Sequence, residues 1–315
     1  MNNKPEKLVE YIRDGLVEEE HFGFIIYANT QKILKQYGQD NNYPYFLRSC
    51  AKPLQASLMI DYGLDKAYDL SEKEIAICTA SHAGEKIHEE LIKGLLSKIG
   101  LQESDLKCGI HYPLSKTRQN EMLLTGEKPT QIHNNCSGKH TMMLALCKLK
   151  NWDIKTYNEL THPLQQAIKK KIYTLCEIDK EYPITKDGCG VPIFSMPLYN
   201  ILKGYLNLFL DEKYSKLKNA FLNNPYVIGG EDRTDTKIIA NSSNIVCKTG
   251  AGGLFVTIDT KNKDGFIVKV SDCDMKSREI TVIEFLKKLN RANIKYDNKI
   301  RTLHNDIVGE IRTCF

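Results

Sequence analysis

The sequence predicts an α/β protein in which one antiparallel sheet, built from N- and C-terminal strands, is flanked by a helical middle lobe. Three observations carry that expectation. The first forty residues read as a β-meander, the apolar period turns helical from Lys52 to about Ala240, and strands return from Gly253. Neither terminal set of strands can cover its own apolar face, so pairing the two sets and packing helices against them is the economical solution. The 315 residues are expected to form a single domain, 1–315, of two lobes: a sheet lobe at roughly 1–48 and 241–315 and a helical lobe at roughly 49–240. That arrangement puts residues near 49 and near 248 at the junction of sheet and helices.

Each element has its own signal. Leu8 to Ile12 and the run from Leu16 onward flank Asp14-Gly15, a pair suited to a hairpin turn. Phe22 to Tyr27 reads as a further strand, and Ala28-Asn29-Thr30 turns into Lys32 to Tyr37. Leu54, Leu58, Met59 and Tyr62 fall on one helical face, as do Ile87, Leu91, Leu95 and Ile99. Further helices are expected over 138–150, 160–177, 193–209 and 211–223. Gly253 to Asp259 and Phe266 to Val270 read as strands joined by the polar turn Lys261 to Gly265, and 275–290 as a closing helix with Ile283, Phe285, Leu286 and Leu289 apolar.

Composition excludes several classes. Basic and acidic residues number 44 and 39, giving a net charge of +5, and they are interleaved. The longest basic cluster, Lys169-Lys170-Lys171, is not the concentrated face that nucleic acid requires. No segment approaches the run of about 18 apolar residues of a membrane span. The first residues lack the apolar stretch of a secretory signal, so the cytoplasm is the expected compartment. The 10 cysteines are scattered, and in a reducing compartment they are buried thiols, metal ligands or catalytic groups.

Chemistry-bearing residues fall in clusters. Arg48-Ser49-Cys50-Ala51-Lys52-Pro53 stands where the meander gives way to the first helix. A serine three residues before a lysine shares its helical face, and a neutral lysine can serve as the base that a serine nucleophile needs. Burial or a second cation would make it neutral. The alternative is Ser49 as a helix cap and Lys52 as a surface lysine, with Pro53 tolerated in the first turn. Lys248-Thr249-Gly250, just before the strand from Gly253, completes the early Ser-x-x-Lys and late Lys-Thr-Gly pairing of serine β-lactamases and penicillin-binding proteins. No Ser-Asp-Asn element stands between them, which argues against penicillin chemistry. Gly250 leaves the strand edge open to a ligand.

Ser81-His82-Ala83-Gly84-Glu85 offers a second serine that could pair with Lys248, or simply a helix terminus closed by Gly84. His133-Asn134-Asn135-Cys136-Ser137-Gly138-Lys139-His140 opens a helix, where Cys136 is expected to have a lowered pKa. Three readings fit this loop: a cysteine nucleophile with His133 or His140, a metal site, or a capped helix start. Asp187-Gly188-Cys189-Gly190-Val191-Pro192 brings a second cysteine with a carboxylate, compatible with zinc. In Gly229 to Thr236, Asp235 or Thr236 reads as an N-cap and Arg233 as a carboxylate holder or a surface residue.

Five of these clusters, in chain order Arg48 to Pro53, Ser81 to Glu85, His133 to His140, Asp187 to Pro192 and Lys248 to Ala251, together resemble the rhizobial-type (asparaginase II) L-asparaginases. The resemblance implies the serine β-lactamase/glutaminase fold, a homodimer, and hydrolysis of L-asparagine to L-aspartate and ammonia. It implies two Ser-Lys pairs, Ser49 with Lys52 and Ser81 with Lys248, and a zinc ion held by Cys136, Lys139 and Cys189 that orients the substrate. Arg48, His82 and Asp187 are the candidate substrate contacts. The chain departs from the family at Gly252, where a glutamate is usual, and at Gly230-Glu231-Asp232-Arg233, where the family reads Gly-Thr-Gly-Arg.

Overall fold

The computed structural model describes residues 3–315. Eleven strands are present among them: β1 (Glu6–Arg13), β2 (Leu16–Asn29), β3 (Ile33–Tyr37), β4 (Tyr45–Phe46), β5 (Ile184–Lys186), β6 (Pro192–Met196), β7 (Ile245–Thr249), β8 (Leu254–Asp259), β9 (Asp264–Val270), β10 (Lys299–Arg301) and β11 (Ile307–Thr313). The main sheet runs β10-β11-β1-β2-β9-β8-β7, with β3 also on β2. All of its pairings are antiparallel. The two ends of the chain meet where β2 pairs with β9, Ile26 opposite Ile267 and Tyr27 opposite Phe266. The expected joint sheet is therefore present.

Local chemistry explains the connections. Asp14 and Gly15 both have positive φ, 46° and 83°, as a two-residue hairpin turn of matching twist requires. Strands β7 and β8 are buried at every position, so they are covered on both faces. The helix Met275–Lys288 covers one face, its Phe285 ring lying 4.8 Å from that of Phe266 and 6.0 Å from that of Tyr27. The helix Leu198–Phe209 packs against β2, β8 and β9 as well.

The structure corrects several boundaries. Leu16 to Asn29 is one continuous strand, not a short run followed by Phe22 to Tyr27. The segment 193–209 is β6 followed by a helix. Pro197 forces the break, because a residue that precedes proline avoids helical geometry. In 211–223 a 3₁₀ turn precedes the helix Ser215–Asn223. Lys248 and Thr249 stand before β8 as expected but themselves belong to a further strand, β7, and β10 and β11 follow the closing helix so that β11 covers the edge of β1. A second small sheet, β4-β6-β5, braces the segment that leads into Ser49, with Leu47 N–H donating to the Phe194 carbonyl at 3.0 Å.

Candidate active site

Ser49 occupies a 3₁₀ turn, Arg48–Cys50, that runs into the helix Ala51–Asp61. Arg48 is held at φ 49°, a left-handed conformation uncommon for a side chain of its size. The turn leaves Ser49 half-buried and reachable. Pro53 is accommodated in the first helical turn, where its missing N–H costs nothing. Lys52 is only 1% exposed. Its Nζ donates to the Ala80 carbonyl at 2.7 Å and to the Asn135 carbonyl at 2.9 Å. Burial brings its pKa down to about 8, with the nearby Lys139 and Lys248 ammoniums adding to the fall.

Ser81 follows the helix Glu72–Thr79, whose start is fixed by a Ser71/Glu74 capping box. Its Oγ lies 3.2 Å from Ser49 Oγ, and Asn135 Nδ2 donates to it at 3.2 Å. The hydroxyl of Ser49 is thus engaged by Ser81. The Ser-x-x-Lys spacing predicts a hydrogen bond between it and Lys52, but none is present among the described residues. The expected pairing of Ser81 with Lys248 is also absent among them. Lys248, fully buried, reaches Asp235 Oδ2 at 3.3 Å and the Thr249 carbonyl at 3.3 Å. Asp235 does not cap its helix. It lies in the first turn of Thr234–Ala240, accepts from Thr249 N–H at 3.4 Å, and is equally buried. Burial would raise its pKa, but Lys248 and Arg233 outweigh burial and hold it below the usual carboxylate range. Gly250 is required by packing, not by an open strand edge: a Cβ there would lie 2.8 Å from the Cys50 sulfur.

The helix Ser137–Lys150 delivers Lys139, and the turn after β5 delivers Cys189. Gly138 permits this, because a Cβ would sit 2.2 Å from the Ile77 carbonyl oxygen. Lys139 Nζ meets Cys189 Sγ at 3.0 Å, and the Cys136 thiol shares a hydrogen bond with Cys189. The expected thiolate at Cys136 is corrected. The hydrogen bond with Cys189, and then burial, push its pKa up to about 12. Cys189 is the thiolate, brought down to about 5 by the Cys136 thiol and by Lys139. Two sulfurs and an amine that converge in a buried space form a donor set of the N/S type zinc takes. The amine must first lose its proton. A second grouping, Glu89, Glu127 and His133, already holds the guanidinium of Arg118, 2.9 Å from Glu89 and 2.7 Å from Glu127.

Arg48 Nε donates to Asp187 Oδ1 at 2.8 Å at the mouth of the site. Lys139 and Arg48 keep the Asp187 carboxyl below its ordinary pKa against the opposing effect of burial. His82, a candidate substrate contact, is fully buried instead. Its Nδ1 accepts from Gly84 N–H at 3.1 Å and its Nε2 pairs with Ser137 Oγ at 3.0 Å, so it ties two loops together. For the cysteine-hydrolase reading, no hydrogen bond joins Cys136 to His133 or His140 among the described residues; His140 Nδ1 pairs with Tyr157 Oη at 2.7 Å and His133 Nδ1 accepts from Thr130 N–H at 2.9 Å. Sequence reasoning passed over Asn135 and the pairing role of Asp235. Only the position of Asn135 beside Cys136 pointed to it.

A half-buried serine hydroxyl bonded to a second serine, with a buried lysine one helical turn away, is the equipment of a nucleophilic hydrolase. The sequence profile of the L-asparaginase II family matches residues 9–313, and the chain belongs to that family of amidohydrolases. No curated protein matches the chain. Among solved structures it is similar to a beta-lactamase from Mycobacterium bovis, at 12% identity, TM-score 0.45, and coverage of 84% of this chain and 94% of that one. It is also similar to a protein assigned as a beta-lactamase from Bacteroides dorei, at 11% identity, TM-score 0.43, and coverage of 79% and 84%. No helix among the described residues is long and apolar enough to cross a membrane.

Proposed function

We propose that the chain hydrolyses L-asparagine to L-aspartate and ammonia through an acyl-enzyme on Ser49. The observation that carries this reading is Lys52, an amine buried and depressed to about 8 one helical turn from a reachable serine. A neutral lysine has two N–H donors and one lone pair. The carbonyls of Ala80 and Asn135 take the two donors, which leaves the lone pair free to accept a proton. The Ser49 hydroxyl turns about one bond from Ser81 to the amine, its proton passes to Lys52, and its oxygen attacks the side-chain amide carbon. Backbone N–H groups beside Ser49 stabilise the developing oxyanion. Ser81, oriented by Asn135, passes its proton to the departing ammonia and regains one from the Lys52 ammonium, which leaves Lys52 neutral for the next step. Water then adds to the ester and releases L-aspartate, returning the proton to Ser49.

Cys136, Lys139 and Cys189 would hold zinc, which when bound supplies a positive centre for the polar end of the substrate. Asp187, held by Arg48, faces the α-amino group in this reading. Ser49→Ala should lower ammonia release from L-asparagine by roughly 10³-fold or more in a protein that remains folded. L-Glutamine is assayed beside L-asparagine, because one methylene is worth only about 1–3 kcal/mol of discrimination. Turnover retained by the variant would remove Ser49 from the chemistry.

A further inference from the structure

The cleft behind Lys248 contains cations that the chain leaves unpaired. Its walls are Arg233 and Thr234 at the start of one helix, Thr249 at the end of β7, and Met275, Lys276, Arg278 and Glu279 on the helix Met275–Lys288, enclosing about 230 Å³. Arg278 is 4% exposed. Its Nη1 donates to the Gly250 carbonyl at 3.0 Å and its guanidinium lies over the Phe255 ring at 5.9 Å. Its Nε has no hydrogen-bond partner, and neither has the Oγ1 of Thr249, which is 7% exposed. Among the described residues no carboxylate comes within 4.0 Å of a charged nitrogen of Arg278, Arg233 or Lys276. Three acids stand nearby: Asp235, whose charge acts on Arg278 and Arg233 but whose carboxylate is held by Lys248 at 3.3 Å, and at the rim Asp232, which faces Lys237 at 3.8 Å, and Glu279, which is half-buried. A buried guanidinium with no carboxylate in direct contact is costly unless something supplies one. Elsewhere in this chain the buried Arg118 has its carboxylates, Glu89 and Glu127.

We infer that this cleft is a carboxylate-binding subsite, with Arg278 and the Thr249 hydroxyl at its floor and Arg233 and Lys276 at its rim. A carboxylate is the anion that suits it, because a guanidinium offers paired N–H donors to two oxygens and the hydroxyl adds a third donor. Its position ties it to the reacting serine. The Gly250 carbonyl holds Arg278, and Gly250 packs against Cys50, the neighbour of Ser49. The carboxylate has two possible sources, the α-carboxylate of the amino-acid substrate or a free carboxylate that binds beside it. The first source rests on the reaction proposed above, whereas the subsite itself does not.

The test reads binding and turnover separately. L-Aspartate and succinate are titrated into the Ser49→Ala chain while its melting midpoint is followed, and Arg278→Gln and Arg233→Gln are then added singly. Either replacement should weaken the binding of the carboxylates about 10–100-fold, the range for a charge-assisted hydrogen bond. In the chain that retains Ser49, the same replacements should raise KM for L-asparagine by a similar factor and change kcat by less than about threefold. They should leave the hydrolysis of L-asparaginamide, whose α-carboxylate is capped, unchanged. Loss of succinate and L-aspartate binding with KM for L-asparagine unmoved would assign the subsite to a free carboxylate. Because Arg278 is buried, its variant is checked for cooperative melting, and Arg233→Gln at the rim carries the test where that fails. Equal carboxylate binding and equal KM in parent and folded variants would overturn the inference. Intact L-aspartate binding that the replacements weaken, without L-asparagine turnover, would sink the reaction and leave the subsite standing.

Discussion

Asp235→Asn isolates the charge that holds Lys248 in the interior. Asparagine keeps the shape of the side chain and an oxygen for the Thr249 N–H, so the substitution removes little else. The ammonium and the carboxylate are 3.3 Å apart and fully buried. Coulomb's law gives about 5 kcal/mol at an effective dielectric of about 20, and removing one partner of a buried pair typically costs about 3–5 kcal/mol. Urea unfolding at pH 7 should therefore show a loss of about 3–5 kcal/mol as a lower midpoint with an unchanged slope. The folded carboxyl lies below its unfolded value. Its stabilisation is thus complete above the unfolded pKa of about 3.9 and is lost as pH falls through the folded value. Parent and variant should differ by a constant amount between pH 5 and 8 and converge in stronger acid. Replacing both partners with apolar residues, Asp235→Leu with Lys248→Met, should recover part of the loss. A difference below about 1 kcal/mol at pH 7, or one that does not shrink between pH 5 and pH 2, would refute the reasoning.

Two further outcomes are expected. Only neutral Lys52 can take the Ser49 proton, so kcat/KM for L-asparagine should rise with pH through about 8. Lys52→Arg, which stays protonated, should be inactive across that range; a flat profile over pH 6–9 would remove Lys52 as the base. Cys136→Ser should lower the zinc-to-protein ratio measured by elemental analysis and raise KM more than it lowers kcat. The opposite kinetic pattern would move the metal from binding to the chemical step.

Where the sequence was legible, the signal was local. Asp14-Gly15 fixed a hairpin through two positive φ values, and the apolar spacing of Leu54, Leu58 and Met59 gave the helix that follows Ser49. The boundary at Pro197 was readable in principle, but the apolar run Ile193 to Met196 continues smoothly into Leu198 and conceals it. β10 and β11 were missed because 299–313 is mostly polar and half exposed, so no alternation marks it. At the site, the residue types were visible while their partners were not. Asp235 carries the pattern of a helix cap, and only the approach of β7 to that helix turns it towards Lys248. His82 has the composition of a site residue, and only its burial shows that it holds loops together.

The electrostatics of the site follow from this pairing. Lys52, Lys139 and Lys248 are all nearly or fully buried, and Lys52 feels the charge of the other two. Three ammoniums cannot share a low-dielectric space without compensation. Asp235 neutralises one, and the second is neutralised by the Cys189 thiolate or, where zinc is bound, gives up its proton to coordinate. The third has only carbonyl partners, so it is the one that burial can strip of its proton. Lys52 is thus a base because the other two lysines are already paired, and a change that freed either of them would be felt at Ser49. On this argument Asp235→Asn, made for stability, should also shift the pH profile of catalysis. An unpaired Lys248 ammonium would press the Lys52 limb below about 8, and a limb that stayed in place would show that the two lysines are not coupled.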